Sequence, residues 1–307
     1  MKIYDVSAEH PSIDLISKHS KHTYHVPLNE ADLIFVGSVT QWRNAIGHKV
    51  DTGLPMVCHV WDIPSNWRLW CRNEQDYLNN KHRDVEIVRM LDFLGMCDLV
   101  IACSEHTQTV LYTLGIKSTV LHNFYDVEEI DACLENVKIE KKNRIIQISR
   151  YALNKRFHTT LEMWGKLKDK YKDWELMFIG PKGDIWNEIK DVKMDRVTIH
   201  SELNRKLLVT LMAEARILVS PSLNEGFGLT PIEARHLGLD VVCSDMPWVH
   251  EFRYATTKAF EPDNVDAYCE SIESVISSPI GFSEKPSHLT VREFADRFDK
   301  LIDKEIK

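Results

Sequence analysis

Ser220-Pro-Ser-Leu-Asn-Glu-Gly-Phe-Gly-Leu-Thr-Pro-Ile-Glu-Ala234 is the stretch of this sequence that says most about the fold. A short apolar strand is predicted to end where the stretch begins, and a loop with two glycines follows. A helix then starts with Thr230 as N-cap and Pro231 at the first helical position, and Glu233 completes a capping box. Glycines let the backbone approach a ligand closely, and a helix N-terminus favours phosphate. The stretch therefore predicts a strand–loop–helix anion site.

Two acids in this stretch have open interpretations. Glu225 and Glu233 are eight residues apart, and we expect both to face the end of the strand. The alternative is that Glu233 only caps its helix and Glu225 is a solvated loop acid. A second basic motif, Ile148-Ser-Arg-Tyr-Ala-Leu-Asn-Lys155, favours the first interpretation. Arg150 and Lys155 follow another predicted strand, where they could clamp a diphosphate, although two loop cations are often merely solvated.

Short β-branched runs alternate with amphipathic helical stretches along nearly the whole sequence. We predict strands at 2–6, 32–37, 56–60, 99–103, 118–121, 144–149, 175–180, 196–200, 217–220 and 240–244, and helices at 86–96, 106–114, 159–170, 205–215 and 231–237. Near-continuous apolar strands between helices are typical of parallel sheets covered on both faces. The charge-rich segment 126–143 interrupts the alternation. We therefore predict an α/β protein with two doubly wound, Rossmann-like domains, 1–140 and 141–288, facing a cleft. A helix in 289–307 crosses back to the first domain.

Charge and cysteine content exclude several classes of protein. The chain has 307 residues and a formal net charge of −8. Residues 1–140 hold 12 basic and 20 acidic side chains, whereas the remainder holds 26 of each, so nucleic acid is not an expected partner. The seven cysteines form no C-x-x-C pair, which indicates free thiols in a reducing compartment. No apolar stretch approaches the roughly 20 residues that span a bilayer. We expect a cytoplasmic protein without an integral membrane segment.

The motifs together resemble glycosyltransferase family 4, whose fold is GT-B. Its E-x7-E motif is matched from Glu225 to Glu233, and its S-R-x4-K motif is matched by Ser149, Arg150 and Lys155. The strand 98–104, the segment His122-Asn-Phe-Tyr-Asp126 and the loop Trp248-Val-His-Glu251 also resemble the family. The resemblance runs from about residue 56 to the C-terminus.

The resemblance implies roles for the motif residues. Arg150 and Lys155 hold the donor diphosphate, and Glu233 accepts hydrogen bonds from the ribose hydroxyls. Glu225 holds the donor sugar together with the backbone of the four residues that follow it: Gly226, Phe227, Gly228 and Leu229. Thr230 begins the helix that faces the phosphates. The family retains the anomeric configuration and generally needs no metal or other cofactor, and the sequence has no D-x-D triplet.

The first domain departs from the family pattern. The loop at 6–11 lacks the family's Gly-Gly pair, and the family's expected His-Asp, six residues after Pro55, is Trp61-Asp62. His59 either takes the place of that histidine, as a catalytic residue beside Asp62, or is a hydrogen-bonded core residue. Trp61, Trp67 and Arg68 are candidate acceptor-binding residues because aromatic rings stack on sugars, although the tryptophans could equally be core.

These observations predict a retaining, metal-independent glycosyltransferase that moves a sugar from a nucleotide diphosphate donor to an acceptor hydroxyl. Two alternatives remain. One is a sugar-nucleotide epimerase or phosphorylase on the same fold. The other is a non-catalytic subunit that binds a sugar nucleotide. The predicted partners are the nucleotide sugar and a carbohydrate or other hydroxyl acceptor.

Overall fold

The computed structural model describes residues 1–6, 11–63, 65, 67–251, 256–278 and 289–306. The predicted glycine-free loop at 6–11 lies partly outside these residues, and the predicted domain boundary at 288 lies outside them. The strands are β1 Ile3–Asp5, β2 Leu33–Val36, β3 Met56–Val60, β4 Leu99–Ala102, β5 Thr119–Val120, β6 Arg144–Ile148, β7 Glu175–Ile179, β8 Val197–His200, β9 Ile217–Ser220, β10 Asp240–Ser244 and β11 Lys258–Phe260.

All of the α-helices given below except the last two, which follow β11, lie between these strands, as the alternating pattern predicts. They are α1 Pro11–Ser17, α2 Trp42–Thr52, α3 Glu74–Asn80, α4 Arg83–Gly95, α5 Glu105–Thr113, α6 Val127–Leu134, α7 Phe157–Leu167, α8 Trp186–Ile189, α9 Arg205–Glu214, α10 Leu229–His236, α11 Pro247–Glu251, α12 Val265–Ser277 and α13 Val291–Glu305. No described helix is long and apolar enough to cross a membrane.

The chain divides into two compact units, each built on a parallel sheet. The first unit comprises Met1–Tyr125 and Ser287–Lys307, and the second comprises Asp126–Pro286. The division falls after Tyr125 rather than at the predicted residue 140. The reason is that α6 is tied to the second unit, where Glu129 pairs with Arg205 on α9 at 2.9 Å. The α/β class with two parallel-sheet units is confirmed.

The first unit is a five-stranded sheet in the order β1-β2-β3-β4-β5, with every pair parallel. Alternate side chains of β2, Leu33 and Phe35, face a core that α1 and α13 complete. On α13, Phe298 meets the Phe35 ring edge-on at 5.2 Å between centroids. The predicted return of the C-terminal helix to the first domain is therefore confirmed.

The second unit is a six-stranded sheet in the order β11-β10-β9-β6-β7-β8. Every pair is parallel. Counted from β6 along the chain, the strands lie in the order 3-2-1-4-5-6, which is that of dinucleotide-binding Rossmann domains. The direction of winding reverses between β6 and β9. The edge strand β11 was not predicted from sequence, because Lys258-Ala-Phe260 is short and opens on a charge.

Candidate functional site

The residues predicted to bind the donor follow the two strands at which the winding of the second sheet reverses. Arg150 is the second residue after β6, and the loop 221–228 comes directly after β9. In open α/β sheets, ligands bind outside the carboxyl ends of the strands at such a switch point, because the two crossovers leave in opposite directions and open a crevice. The topology therefore brings the two sequence motifs together at the edge where a ligand is expected.

An ion pair joins the two motifs directly. Lys155 Nζ lies 2.6 Å from Glu225 Oε1 and 3.5 Å from the carbonyl oxygen of Asn224. The two side chains are only 16% and 23% exposed, so solvent screens the pair incompletely. The lysine and glutamate predicted to contact diphosphate and sugar are thus held side by side.

Hydrogen bonds between the two loops fix the position of this pair. The Leu223 amide donates to the carbonyl of Asn154 at 2.9 Å, and the Asn154 side-chain amide donates to the carbonyl of Asn224 at 3.3 Å. Gln147, on β6, donates its side-chain amide to the carbonyl of Lys155 at 2.7 Å. Because these partners are backbone groups, the loops keep their shape independently of the charged side chains.

Arg150 is exposed at the end of β6, and no carboxylate among the described residues is paired with it. Two glycines of the neighbouring loop after β7 lie against the backbone of the same segment. A Cβ on Gly180 would lie 1.8 Å from the Ser149 carbonyl oxygen, and one on Gly183 would lie 2.3 Å from that of Tyr151. Only glycine fits at these two positions. Sequence reasoning missed them, although glycine is scarce in this chain, at 12 of 307 residues, which was a usable signal.

The start of α10 differs from the predicted capping box. The N-cap is Gly228, at φ +71°, and no side chain caps the helix, so Thr230 is the second helical residue rather than the cap. Trp248 occupies the space beside Gly228, where a Cβ would meet its ring at 2.9 Å. The buried indole donates to the carbonyl of Ser222 at 3.3 Å. Gly228, in a left-handed conformation and packed on Trp248, therefore determines where α10 begins. Glu233, which was predicted to cap the helix, has a different partner.

That partner is an arginine. Glu233 Oε1 lies 2.6 Å from Arg205 Nη2, and Arg205 Nε lies 2.9 Å from Glu129 Oε2. Burial alone would lower the pKa of Arg205, but the hydrogen bonds and charges of the two glutamates outweigh it and raise that pKa. Sequence reasoning missed Arg205, because Glu233 and Arg205 are 28 residues apart and only the fold brings them together.

In the first unit, His59 lies inside the core. It is 2% exposed on β3, with its ring 5.6 Å from that of Trp61 and 5.5 Å from that of Phe294 on α13. Trp61 and Asp62 follow the strand and are partly buried. The packing fits a core histidine, and the catalytic roles of His59 and Asp62 and the acceptor role of Trp61 stay predictions.

Trp67 does not present its ring as a stacking platform. It is 1% exposed, stacks on Tyr77 at 5.7 Å between centroids and donates its indole N–H to Asp84 at 2.9 Å. Arg68 is exposed and forms an ion pair with the same Asp84 at 2.6 Å. The predicted acceptor contact of Trp67 therefore has no open ring face in this structure, because the ring fills space between the Trp67–Trp70 turn and α3.

Among the described residues, no group of three or more His, Cys, Asp or Glu side chains could hold a metal ion. His236, at the end of α10, lies 2.9 Å from Asp131 on α6 and is almost fully buried.

A comparison with known protein families shows which family the chain belongs to. The model of the family described as Glycosyl transferases group 1 matches residues 132–300, more than half of the sequence. The chain belongs to this family. In this group 1 glycosyl transferase, the match covers both sequence motifs and the whole switch point of the second sheet.

Curated relatives of this group 1 glycosyl transferase include two bacterial mannosyltransferases. The O-antigen chain mannosyltransferase RfbU of Salmonella typhimurium is 26% identical over 62% of this chain and 56% of its own length. The GDP-mannose:cellobiosyl-diphosphopolyprenol alpha-mannosyltransferase of Xanthomonas campestris is 29% identical over 48% of this chain and 40% of its own length. The chain therefore spans about half the length of the curated relatives it matches.

Solved structures share the fold at low sequence identity. Sucrose-phosphate synthase from Thermosynechococcus elongatus aligns with a TM-score of 0.68 at 16% identity, over 89% of this chain and 73% of its own. HepE from Anabaena, solved with UDP and glucose, aligns with a TM-score of 0.66 at 15% identity, over 98% of this chain and 95% of its own. These likenesses confirm the GT-B fold expected for this group 1 glycosyl transferase.

Proposed function

We propose that this group 1 glycosyl transferase moves a sugar from a nucleoside diphosphate donor to an acceptor hydroxyl. The observation that carries the proposal is the contact of Lys155 with Glu225 of the 221–228 loop at the switch point of the second sheet, where Arg150 also follows β6. Together they supply two cations, a glycine-rich backbone and a helix N-terminus, which are the groups that bind a diphosphate. We further propose family 4 membership, retention of configuration and no metal requirement, all three supported by the complete E-x7-E motif from Glu225 to Glu233.

The leaving group is a nucleoside diphosphate, so its two phosphates gain negative charge as the glycosidic bond breaks. Arg150 would bind them through its guanidinium fork, and Lys155 would act as a point charge. The first turn of α10 adds backbone N–H groups at its positive end. Prepositioned donors of this kind contribute about 10²–10³ in rate each. The backbone of Gly226, Phe227, Gly228 and Leu229 would hold the sugar, and Glu233 would bind the ribose.

Binding of the donor requires Lys155 to exchange partners. In the structure its charge is compensated by Glu225 at 2.6 Å. An arriving diphosphate competes for the same ammonium group, which leaves the carboxylate of Glu225 available to the hydroxyls of the sugar. The ion pair thus prepares both side chains at the same place and neutralises them until the donor binds.

Mannose is the donor sugar we favour for the first test. The two relatives described above and WbdA of Escherichia coli, 35% identical over 29% of this chain, are named as mannosyltransferases. One of them is named for GDP-mannose. The proposed donor for this chain is therefore GDP-mannose.

The proposal is tested by incubating the protein with GDP-mannose, UDP-glucose and other sugar nucleotides and measuring release of the nucleoside diphosphate. Release with at least one donor, abolished in Arg150→Ala, supports a transferase. Lys193→Ala is the matched control, because it removes an exposed lysine of the same unit away from the two motifs.

The other outcomes contradict the proposal. Epimerised sugar nucleotide, or donor that exchanges only with inorganic phosphate, would make the protein an epimerase or a phosphorylase. Tight binding of a sugar nucleotide without turnover, for any acceptor class offered, would make it a binding subunit. No binding to any sugar nucleotide would reject the site itself.

A further inference from the structure

Arg205 lies between two carboxylates that come from different helices. It is the first residue of α9, and its guanidinium contacts Glu233 on α10 through Nη2 at 2.6 Å and Nη1 at 3.5 Å. The remaining Nε donates to Glu129 on α6 at 2.9 Å. The side chain of Glu233 is only 15% exposed. Arg205 therefore contacts Glu233 through its two terminal nitrogens and Glu129 through Nε.

The backbone around this cluster is fixed by caps at two helix starts. Asn204 caps α9 by accepting the Leu207 amide at 2.9 Å, directly before Arg205. Asp126 caps α6 by accepting the Glu129 amide at 2.9 Å. Arg205 and Glu129 therefore both lie in the first turn of a capped helix, which fixes the backbone of two of the three members of the cluster.

The number of acceptor sites on a carboxylate shows how many further hydrogen bonds Glu233 can accept beside Arg205. An ionised carboxylate offers about four lone-pair directions, and an arginine that contacts both oxygens occupies two of them. Two remain on Glu233, and a ribose presents two adjacent hydroxyls. We propose that Arg205 is a positioning residue that orients Glu233 to receive both ribose hydroxyls, with Glu129 anchoring the far edge of the guanidinium. The inference rests on the proposed function and adds a determinant of ribose recognition to it.

The choice of arginine follows from the geometry. A planar guanidinium fixes both the position and the rotation of a carboxylate, whereas a lysine ammonium fixes only its distance. Two glutamates and one arginine also leave one net negative charge, so the cluster keeps an acceptor for neutral hydroxyls. Substitution of Arg205 by lysine should therefore retain the positive charge beside Glu233 but no longer fix the orientation of its carboxylate.

The test is calorimetric titration of the nucleoside diphosphate that the wild-type protein binds best, and of its 2′-deoxy and 3′-deoxy counterparts. Loss of a hydrogen bond to a charged group predicts that wild type binds each deoxy analogue about 10-fold or more weakly. In Arg205→Lys and Arg205→Ala we expect this ratio to fall below about 3-fold, because a carboxylate without its guanidinium partner no longer presents both oxygens. The ratio is taken within one variant, so a partly unfolded sample does not change it.

Lys206→Ala is the matched control, since it removes an exposed positive charge from the same helix. It should keep the wild-type ratio, and Glu129→Gln should give an intermediate one. A wild-type ratio retained in both Arg205 variants would overturn the inference. Equal binding of ribose and deoxyribose forms by wild type would overturn it and leave the diphosphate site standing. No binding of any nucleoside diphosphate would reject the proposed function and the inference together.

Discussion

Replacement of Lys155 by alanine tests the diphosphate site most informatively, because the structure gives two separate penalties. The first is loss of a charged hydrogen bond to phosphate, about 1.5–3 kcal/mol. The second arises from Glu225, which lies 2.6 Å from the ammonium group in the wild type and would face the diphosphate uncompensated. At about 6 Å and an effective dielectric constant between 20 and 80, that repulsion is about 0.7–3 kcal/mol.

The two penalties together predict that Lys155→Ala weakens binding of the nucleoside diphosphate by about 2–6 kcal/mol, or about 30-fold to about 20,000-fold. Glu225→Gln alone should leave that affinity equal or higher, because it frees the lysine and removes the repulsion. The double variant should bind more tightly than Lys155→Ala. Isothermal titration calorimetry measures all four proteins, and Lys193→Ala controls for loss of one positive charge. A folded Lys155→Ala that binds within about threefold of wild type would refute the reasoning.

Three further substitutions and one control, Gly165→Ala, test the loop, the first unit and its C-terminal helix. Gly228→Ala forces an alanine to φ +71° against Trp248, and should lower the free energy of unfolding by about 1–3 kcal/mol, measured by urea denaturation. Gly165→Ala, in α7 with open space around its Cβ, should instead be neutral or stabilising. Trp67→Phe should lower the melting temperature through the lost Asp84 hydrogen bond and leave the KM for any acceptor unchanged; a raised acceptor KM would restore the stacking role. Phe298→Ala should destabilise the protein by about 3–5 kcal/mol, and a smaller loss than about 1 kcal/mol would contradict the core role of α13.

The sequence was most informative where a feature depends on local pattern. The strands Met56–Val60, Ile217–Ser220 and Asp240–Ser244 were predicted to the residue, since each contains a short run of mostly apolar residues. The helix predicted within 289–307 is likewise present as α13, and its apolar residues pack in the core of the first unit. Edge strand β11 was not predicted, because a three-residue strand that begins with lysine contains no such apolar run.

The two motifs predicted which residues form the candidate site, but they did not predict the contacts among those residues. Lys155 and Glu225 are 70 residues apart, and neither motif predicts that they form an ion pair. The wrong assignment of Thr230 as a cap has a related cause. The capping-box pattern is real in the sequence, but Gly228 in a left-handed conformation begins the helix two residues earlier, supported by Trp248. Tertiary packing thus overrode a local signal.

The central claim is that the diphosphate of a donor binds where the second sheet reverses its winding, after β6 and β9. A crystal structure of the protein with a bound nucleoside diphosphate tests it most directly. We predict phosphate oxygens about 3 Å from the side chains of Arg150 and Lys155 and ribose hydroxyls on the carboxylate of Glu233. A nucleoside diphosphate bound elsewhere on the protein, with neither Arg150 nor Lys155 within about 6 Å of a phosphate, would contradict the claim.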